Sequence, residues 1–262
     1  LEPVDDLLVR WCSLEQLRSA PVRGVVIAHE LLDALPVERL IWRDGSLQQQ
    51  WVELEPNGGL RTTHRPLPVA LQDEIHSVIR NRGLQLPPPD AEEGWTTEWN
   101  SALPDWFAAV AAAVDAGLLL VIDYALEAHR YYTARRSDGT LMAVRAQQAG
   151  LSPLDQPGAQ DLTTHLCIEV VDEAAERHGW AVGDQAKQGE ALLALGLAQR
   201  LHGLQQLPGQ HLADALQRRE ALLRLVDPAG LGAFRWLTYL RGVPEGGFSL
   251  AAAPDSSESL RD

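Results

Sequence analysis

The sequence is poor in the residues that most directly announce a function. It holds two cysteines, Cys12 and Cys167, which admit at most one bridge and carry no metal-ligand spacing. The reading is two reduced thiols in a cytoplasmic protein. No stretch approaches the roughly 20 uninterrupted apolar residues needed to span a bilayer. The opening Leu1-Glu2-Pro3-Val4-Asp5-Asp6 has neither a basic nor an apolar signal region, so no membrane insertion is expected. Basic residues are scarce as well: 22 Lys plus Arg stand against 36 Asp plus Glu, a formal charge of -14. That balance repels a phosphate backbone and argues against nucleic acid, while it tolerates a basic protein substrate. Familiar site motifs are missing: Gly230-Leu231-Gly232 lacks the third glycine of a dinucleotide fingerprint, and no nucleophile elbow, phosphate loop or paired-cysteine metal motif occurs. An initiating methionine is also absent, which points to a processed, trimmed or partly observed chain.

What is present is the grammar of an α/β protein. Residues 24–28 form a short β-branched run of the kind that makes a strand buried on both faces of a parallel sheet. Residues 37–42 and 48–54 read as an antiparallel hairpin around Arg43-Asp44-Gly45-Ser46. A helix over 68–82 ends at Gly83. Another, capped by Asn100 or Ser101 and carrying Pro104 in its first turn, ends at Gly117 and leads directly into the apolar strand 118–122. Residues 234–240, rich in aromatic and apolar side chains, read as a last strand. Residues 126–165 form a long polar insertion in which 140–144 look extended. Helical patterns follow over 168–178, 191–201 and 212–226, with a short strand at 180–182. The eight tryptophans are read mostly as core or interface residues. The expected organisation is one elaborated domain over 1–244 and a loose tail over 245–262.

In open α/β sheets, ligands sit beyond the carboxyl ends of the parallel strands. Two polar clusters occupy such places: His29-Glu30 with Asp33, and Asp123-Tyr124. A plainer account is open for both, since strand ends commonly carry polar residues and Asp33 can cap a turn. His29-Glu30 also resembles the opening of a zinc-protease motif, but Asp33 stands where the second histidine belongs and His29 follows a strand pattern. No metal site is expected.

The segment Ala28-His29-Glu30-Leu31-Leu32-Asp33-Ala34-Leu35-Pro36-Val37 resembles the signature of the MidA-like family, Asn/His-Glu-Leu/Phe-Leu/Phe-Asp-Ala/Val-Leu-Pro-Val. It is followed in order by Asp123-Tyr124, by Gly139-Thr140-Leu141, by the run from Pro157-Gly158 through Asp161, Thr163 and His165, and by 188–200, each similar to a family segment. Glu98 falls where the family has a glutamate before its helix. The resemblance implies a Rossmann-like class I methyltransferase that uses S-adenosylmethionine. It also implies a protein substrate, since mitochondrial members act in respiratory complex I assembly and dimethylate a protein arginine; a subunit of a respiratory or NADH dehydrogenase-like complex is the expected kind of partner, and a homodimer is left open. The chain departs from the family at Ala125, where Gly is usual, and at His29, where many bacterial members have Asn. Nothing matches the family's glycine-rich cofactor loop, which should precede Trp11. The chain is therefore expected to supply only the later strands of the sheet with a helical and loop elaboration, and by itself to bind cofactor weakly or not at all. The resemblance also implies that 24–28 and 118–122 are neighbouring parallel strands, with 234–240 antiparallel to the sheet.

Methyl transfer to a guanidinium needs carboxylates that orient it in line with the methyl group. Glu30 and Asp33, with His29, are the expected catalytic group; Asp123 and Tyr124 are expected to bind cofactor. Gly158, Asp161, Thr163 and His165 are expected to complete or close the substrate pocket, although Thr163 and His165 can equally pin the loop and Gly158 permit a turn. A second reading is a non-catalytic assembly or binding protein on a methyltransferase scaffold.

Overall fold

The computed structural model describes residues 9–146, 148–205, 212–244 and 248–250. The expected first eight residues and most of the expected tail lie outside that set. Within the tail, Ser249 and Leu250 are not loose: the Ser249 hydroxyl and the Leu250 N–H both donate to the Asp184 carboxylate at 2.7 Å, and Leu250 is buried.

The central sheet has the order β1-β6-β13-β12, built from β1 (Val22–His29), β6 (Val114–Asp123), β12 (Ala181–Lys187) and β13 (Arg235–Arg241). β1 and β6 run parallel, in register from Arg23↔Ala116 to His29↔Ile122, and β13 runs antiparallel to β6, as the family resemblance implies. Their backbones approach closely where Gly24 faces Gly117; a Cβ on Gly117 would lie 1.9 Å from the Gly24 carbonyl oxygen. Gly117 is thus a strand residue chosen for clearance, not the helix end expected of it. The preceding helix α3 (Leu103–Ala113) already stops at Ala113, because Val114 and Ala116 are buried in the sheet pairing. Its cap differs too: Ala102 holds the N-cap without a side-chain bond, and the backbone carbonyl of Asn100 accepts the Leu103 N–H instead.

β1 is not buried on both faces. Ala28 is buried against the core, but Val25 and Ile27 are each 64% exposed. The physical reason is alternation at an edge: Val25 and Ile27 point to the face opposite Ala28, that face is left uncovered among the described residues, and β1 pairs only with β6. The short helix α1 (Leu14–Arg18), opened by a reciprocal Ser13–Gln16 capping box, precedes it.

On the covered face of the sheet, α3 and α5 (Ile168–Arg177) pack through Phe107, Val110 and Val171 onto Leu119, Leu237 and Tyr239. Phe107 meets Tyr239 edge to face at 5.6 Å. α2 (Val69–Arg82), closed by Gly83 in the left-handed conformation, lies beside α5. There Glu173 accepts from Asn81 at 2.7 Å, Arg82 at 2.8 Å and Arg177 at 3.0 Å.

A second, wholly antiparallel sheet has the order β4-β3-β2-β5. β2 (Glu38–Arg43) and β3 (Ser46–Leu54) are the expected hairpin, and Asp44 and Gly45 both take positive φ, as a tight hairpin turn of this hand requires. β4 (Leu60–Pro66) and β5 (Thr96–Trp99) carry no alternation that would mark them as strands from sequence. Trp95, Trp99 and Trp180 are core residues, whereas Trp11 and Trp51 are exposed.

The long insertion folds as β7 (Ala125–Leu126), α4 (Ala128–Tyr131) and a small sheet of β8 (Met142–Arg145), β9 (Gln148–Leu151) and β10 (Asp161–Thr163) in the order β10-β8-β9. β11 (Leu166–Cys167) then pairs with β7. Beyond β12, the helical region expected over 191–201 divides at Gly196 into α6 (Gln188–Ala194) and α7 (Leu197–Gln205), followed by α8 (Leu212–Val226). Both cysteines are free, Cys12 exposed and Cys167 buried.

One buried carboxylate ties the insertion to the second sheet. Glu98 on β5 is fully buried and accepts from the Thr140 N–H at 2.7 Å, the Thr140 hydroxyl at 3.0 Å and the Leu141 N–H at 3.3 Å. Arg39 stands 3.3 Å away and supplies the opposite charge. Gly139 is required by this packing: its φ is +72° and a Cβ would sit 2.2 Å from the Glu98 carboxylate. Gly139→Ala should therefore lower stability by about 2 to 5 kcal/mol, the sum of a left-handed alanine and an overpacked site. Gly58→Ala, also at positive φ but facing open space, should cost only about 1 to 2 kcal/mol. Equal shifts in urea unfolding midpoint would show that Glu98 yields freely.

Candidate active site

The carboxyl ends of β1 and β6 lie side by side, and the chain after β1 turns sharply there. Glu30 adopts φ 46°, a left-handed conformation uncommon for a side chain of its kind, while its N–H donates to the Ile122 carbonyl at 3.0 Å. Asp123 holds the turn from below. It is fully buried, and its carboxylate accepts from the N–H groups of Leu32 at 3.1 Å, Asp33 at 3.2 Å and Tyr124 at 2.8 Å. Asp123 thus acts on the loop that carries Glu30 and Asp33, through backbone donors.

Asp33 is 4% exposed, and its Oδ1 is buried with no hydrogen-bond partner. A buried carboxylate oxygen without a donor is costly unless a ligand supplies one. Burial, and secondarily Glu30, raise the Asp33 carboxyl above the ordinary carboxylate range. Asp123 is pushed up to about 7, by burial first and by Asp33 second, against the pull of its backbone donors. Burial and the charges of Glu30, Asp33 and Asp123 raise the Tyr124 phenol. The charge of Glu30 thus acts on Asp33 and Tyr124, and that of Asp33 on Asp123 and Tyr124.

Aromatic rings complete the surroundings. Tyr124 stacks at 4.3 Å on Phe234 and meets His165 edge-on at 5.6 Å. His29 faces Phe234 at 6.1 Å, with Nε2 3.7 Å from the Glu30 carboxylate. His165 is held below its ordinary value by burial and by Arg136, which favours the neutral imidazole. Thr164, next to it, donates its N–H to the Asp33 carbonyl at 2.9 Å.

Of the residues singled out from sequence, the structure brings together His29, Glu30, Asp33, Asp123, Tyr124 and His165. Thr163 is half-buried at the end of β10, one residue before the Thr164 tether. Gly158 and Asp161 stand apart: both are exposed, Gly158 has φ +83° with open space around it, and Asp161 pairs with Val144 in the small sheet. Phe234 was not a sequence candidate; its signal is an aromatic residue immediately before a strand that must run antiparallel to β6.

A parallel strand pair with acidic and aromatic residues at its carboxyl ends, continued by an antiparallel strand and covered by helices, is the later part of a Rossmann-like class I methyltransferase sheet. Residues 3–184 match the model of a family described as "Putative S-adenosyl-L-methionine-dependent methyltransferase", and the chain belongs to that family. The resemblance to MidA-like methyltransferases is to this same group. A curated relative from Drosophila melanogaster, named protein arginine methyltransferase NDUFAF7 homolog, mitochondrial, is 28% identical over 230 residues, 84% of this chain and 48% of that protein. A COG1565 superfamily member from Burkholderia thailandensis, bound to S-adenosyl-homocysteine, superposes with a TM-score of 0.75 at 27% identity, over 89% of this chain and 57% of that one. A native crystal structure of a COG1565 superfamily protein from the same organism gives the same TM-score and identity, with 59% of its chain covered. The chain thus spans about half the length of the curated relative it matches.

The residues present fit one end of the cofactor. S-adenosylmethionine carries a sulfonium cation, and a cluster of carboxylates beside the rings of Tyr124 and Phe234 suits a cation. Among the described residues no strand opens through a glycine-rich loop into a helix, so the nucleoside end meets no comparable cradle here.

The raised Asp123 carboxyl makes a testable statement about stability. Its folded value lies above that of an unfolded chain, so the stability linked to it is complete below about pH 4 and lost as pH rises through about 7. Wild type should therefore lose stability relative to Asp123→Asn between about pH 5 and about pH 8 in urea unfolding. Parallel pH slopes in the two proteins would show that this carboxyl does not titrate in that window.

Proposed function

We propose that the chain carries the acceptor side of an S-adenosylmethionine-dependent methyltransferase whose substrate is an arginine side chain of a protein. The observation that carries the reading is the unpartnered, buried Oδ1 of Asp33, beside Glu30 at the carboxyl ends of β1 and β6. The name of the Drosophila melanogaster relative supports arginine as the acceptor. A respiratory-complex subunit is the matching kind of partner.

Asp33, anchored through Asp123, accepts an N–H from the guanidinium and fixes its plane. Glu30, half exposed and beside His29, orients the reacting nitrogen and takes the proton that leaves it; His29 passes that proton to solvent. Tyr124 and Phe234 wall the site against water and stack on the cationic groups. The cofactor, when bound, supplies the methyl group: a nitrogen lone pair forms the new N–C bond as the S–C bond breaks. The glycine-rich loop that would hold its nucleoside belongs, in this reading, to polypeptide that pairs with the outer edge of β1, where Val25 and Ile27 are uncovered.

The test is methyl transfer from labelled S-adenosylmethionine to an arginine-containing protein by the full-length enzyme. Glu30→Gln and Asp33→Asn should each reduce transfer by about tenfold or more, since a hydrogen bond to a charged group is worth about 1.5 to 3 kcal/mol. Cofactor affinity and melting temperature should change little. Full transfer by both folded variants would remove the acceptor role from this pair, and no transfer by a wild type that binds both partners would favour a non-catalytic scaffold.

A further inference from the structure

Next to the proposed acceptor site lies a cavity of about 660 Å3, within the range of about 300 to 1,000 Å3 usual for ligand sites. One wall is a single face of the second sheet. Gln50 and Val52 are alternate residues of β3, and Thr62 stands opposite Val52 in register. The other wall belongs to the insertion, through Leu141, Leu154 and Leu162, and the segment from Asp33 to Glu38 closes one end.

The insertion is tied down at both of its flanks: Thr140 and Leu141 by Glu98, and Thr164 by the Asp33 carbonyl. The cleft between these walls is consequently part of the fold. Its lining leaves aliphatic surface uncovered, with Val52 51% and Leu162 44% exposed. Its cation is already spent: Arg39 pairs with Glu98 at 3.3 Å, donates to Gln50 at 3.1 Å and to the Asp138 carbonyl at 3.2 Å. The buried group left without a partner is an acceptor, Oδ1 of Asp33.

We infer that this cleft binds an extended peptide of the protein substrate, with a cationic side chain on Asp33 and an aliphatic side chain two positions away along the peptide in the Val52–Leu162 part of the cleft. An extended chain presents residues i and i+2 on the same side, and two positions is the shortest spacing that lets both side chains enter one cleft. An aliphatic wall contiguous with one unpartnered carboxylate matches a peptide that alternates in this manner. A free guanidine offers nothing to the aliphatic part. The inference rests on the acceptor reading for the place of the arginine, but it concerns binding and is measured without transfer.

Fluorescein-labelled heptapeptides serve as probes in anisotropy titrations of the full chain without cofactor. Gly-Leu-Gly-Arg-Gly-Leu-Gly should bind about tenfold or more tightly than Gly-Ser-Gly-Arg-Gly-Ser-Gly, the factor expected for withdrawing one aliphatic side chain from water. Moving the leucines next to the arginine, or replacing the arginine by glutamine, should remove most of that gain. Val52→Asp, and independently Leu162→Ser, should abolish the leucine preference while melting temperature holds; both positions are half exposed and tolerate change. Equal binding of leucine and serine peptides, a preference that survives both variants, competition by N-methylguanidine as strong as by the peptide, or no binding of any peptide would each overturn the inference. Failure of methyl transfer with the leucine preference intact would instead count against the acceptor chemistry alone.

Discussion

The carboxylate of Asp123 is the constraint on which the site depends. It sits at the end of a strand that is buried along most of its length, and it collects three backbone N–H donors, two of them from the loop after β1. Those bonds make a left-handed Glu30 affordable and set Asp33 into the wall with one oxygen unmatched. Burial raises both carboxyls, with Glu30 adding to the effect on Asp33 and Asp33 to the effect on Asp123, so the protein holds ionisable groups where water would otherwise relax them. Such a standing electrostatic cost is characteristic of functional sites.

Glu98 does for the insertion what Asp123 does for the loop. A long polar segment has little apolar surface with which to hold itself down, and here buried hydrogen bonds take over that task. Arg39 links the two systems, since it neutralises Glu98 while its own strand lines the cleft beside Asp33. The loop that carries Glu30 and Asp33 and the adjoining cleft therefore stand on two buried carboxylates that bind backbone N–H groups.

The sheet shows the same division between what is closed and what is left open. The helix-covered face is filled by large side chains such as Phe107 and Tyr239, whereas β1 presents a free edge and two branched aliphatic residues to solvent. A free strand edge with apolar side chains invites a further strand. That is consistent with a chain matching about half the length of its curated relative, and with a site that fits the reactive end of the cofactor better than its nucleoside.

The sequence alone determined those features that arise from neighbouring residues. The apolar runs at β1 and β6, the Asp-Gly turn of the hairpin and the polar residues at the strand ends are local patterns of periodicity and turn chemistry, and a ten-residue motif followed in order by further similar segments carried the family resemblance. Tertiary structure decided the rest. Asp123 grips residues some ninety positions earlier in the chain, Glu98 on the edge strand β5 holds Thr140 of the insertion, 42 positions later, and Phe234 packs on Tyr124 only because β13 returns antiparallel to β6. The exposure of β1, the place of Gly117 in a strand, the packing of Gly139 on Glu98 and the cleft beside Asp33 likewise depend on which distant segments cover a surface and which do not. No window of sequence contains that information, because burial and hydrogen-bond partnership are set by contacts between segments remote along the chain.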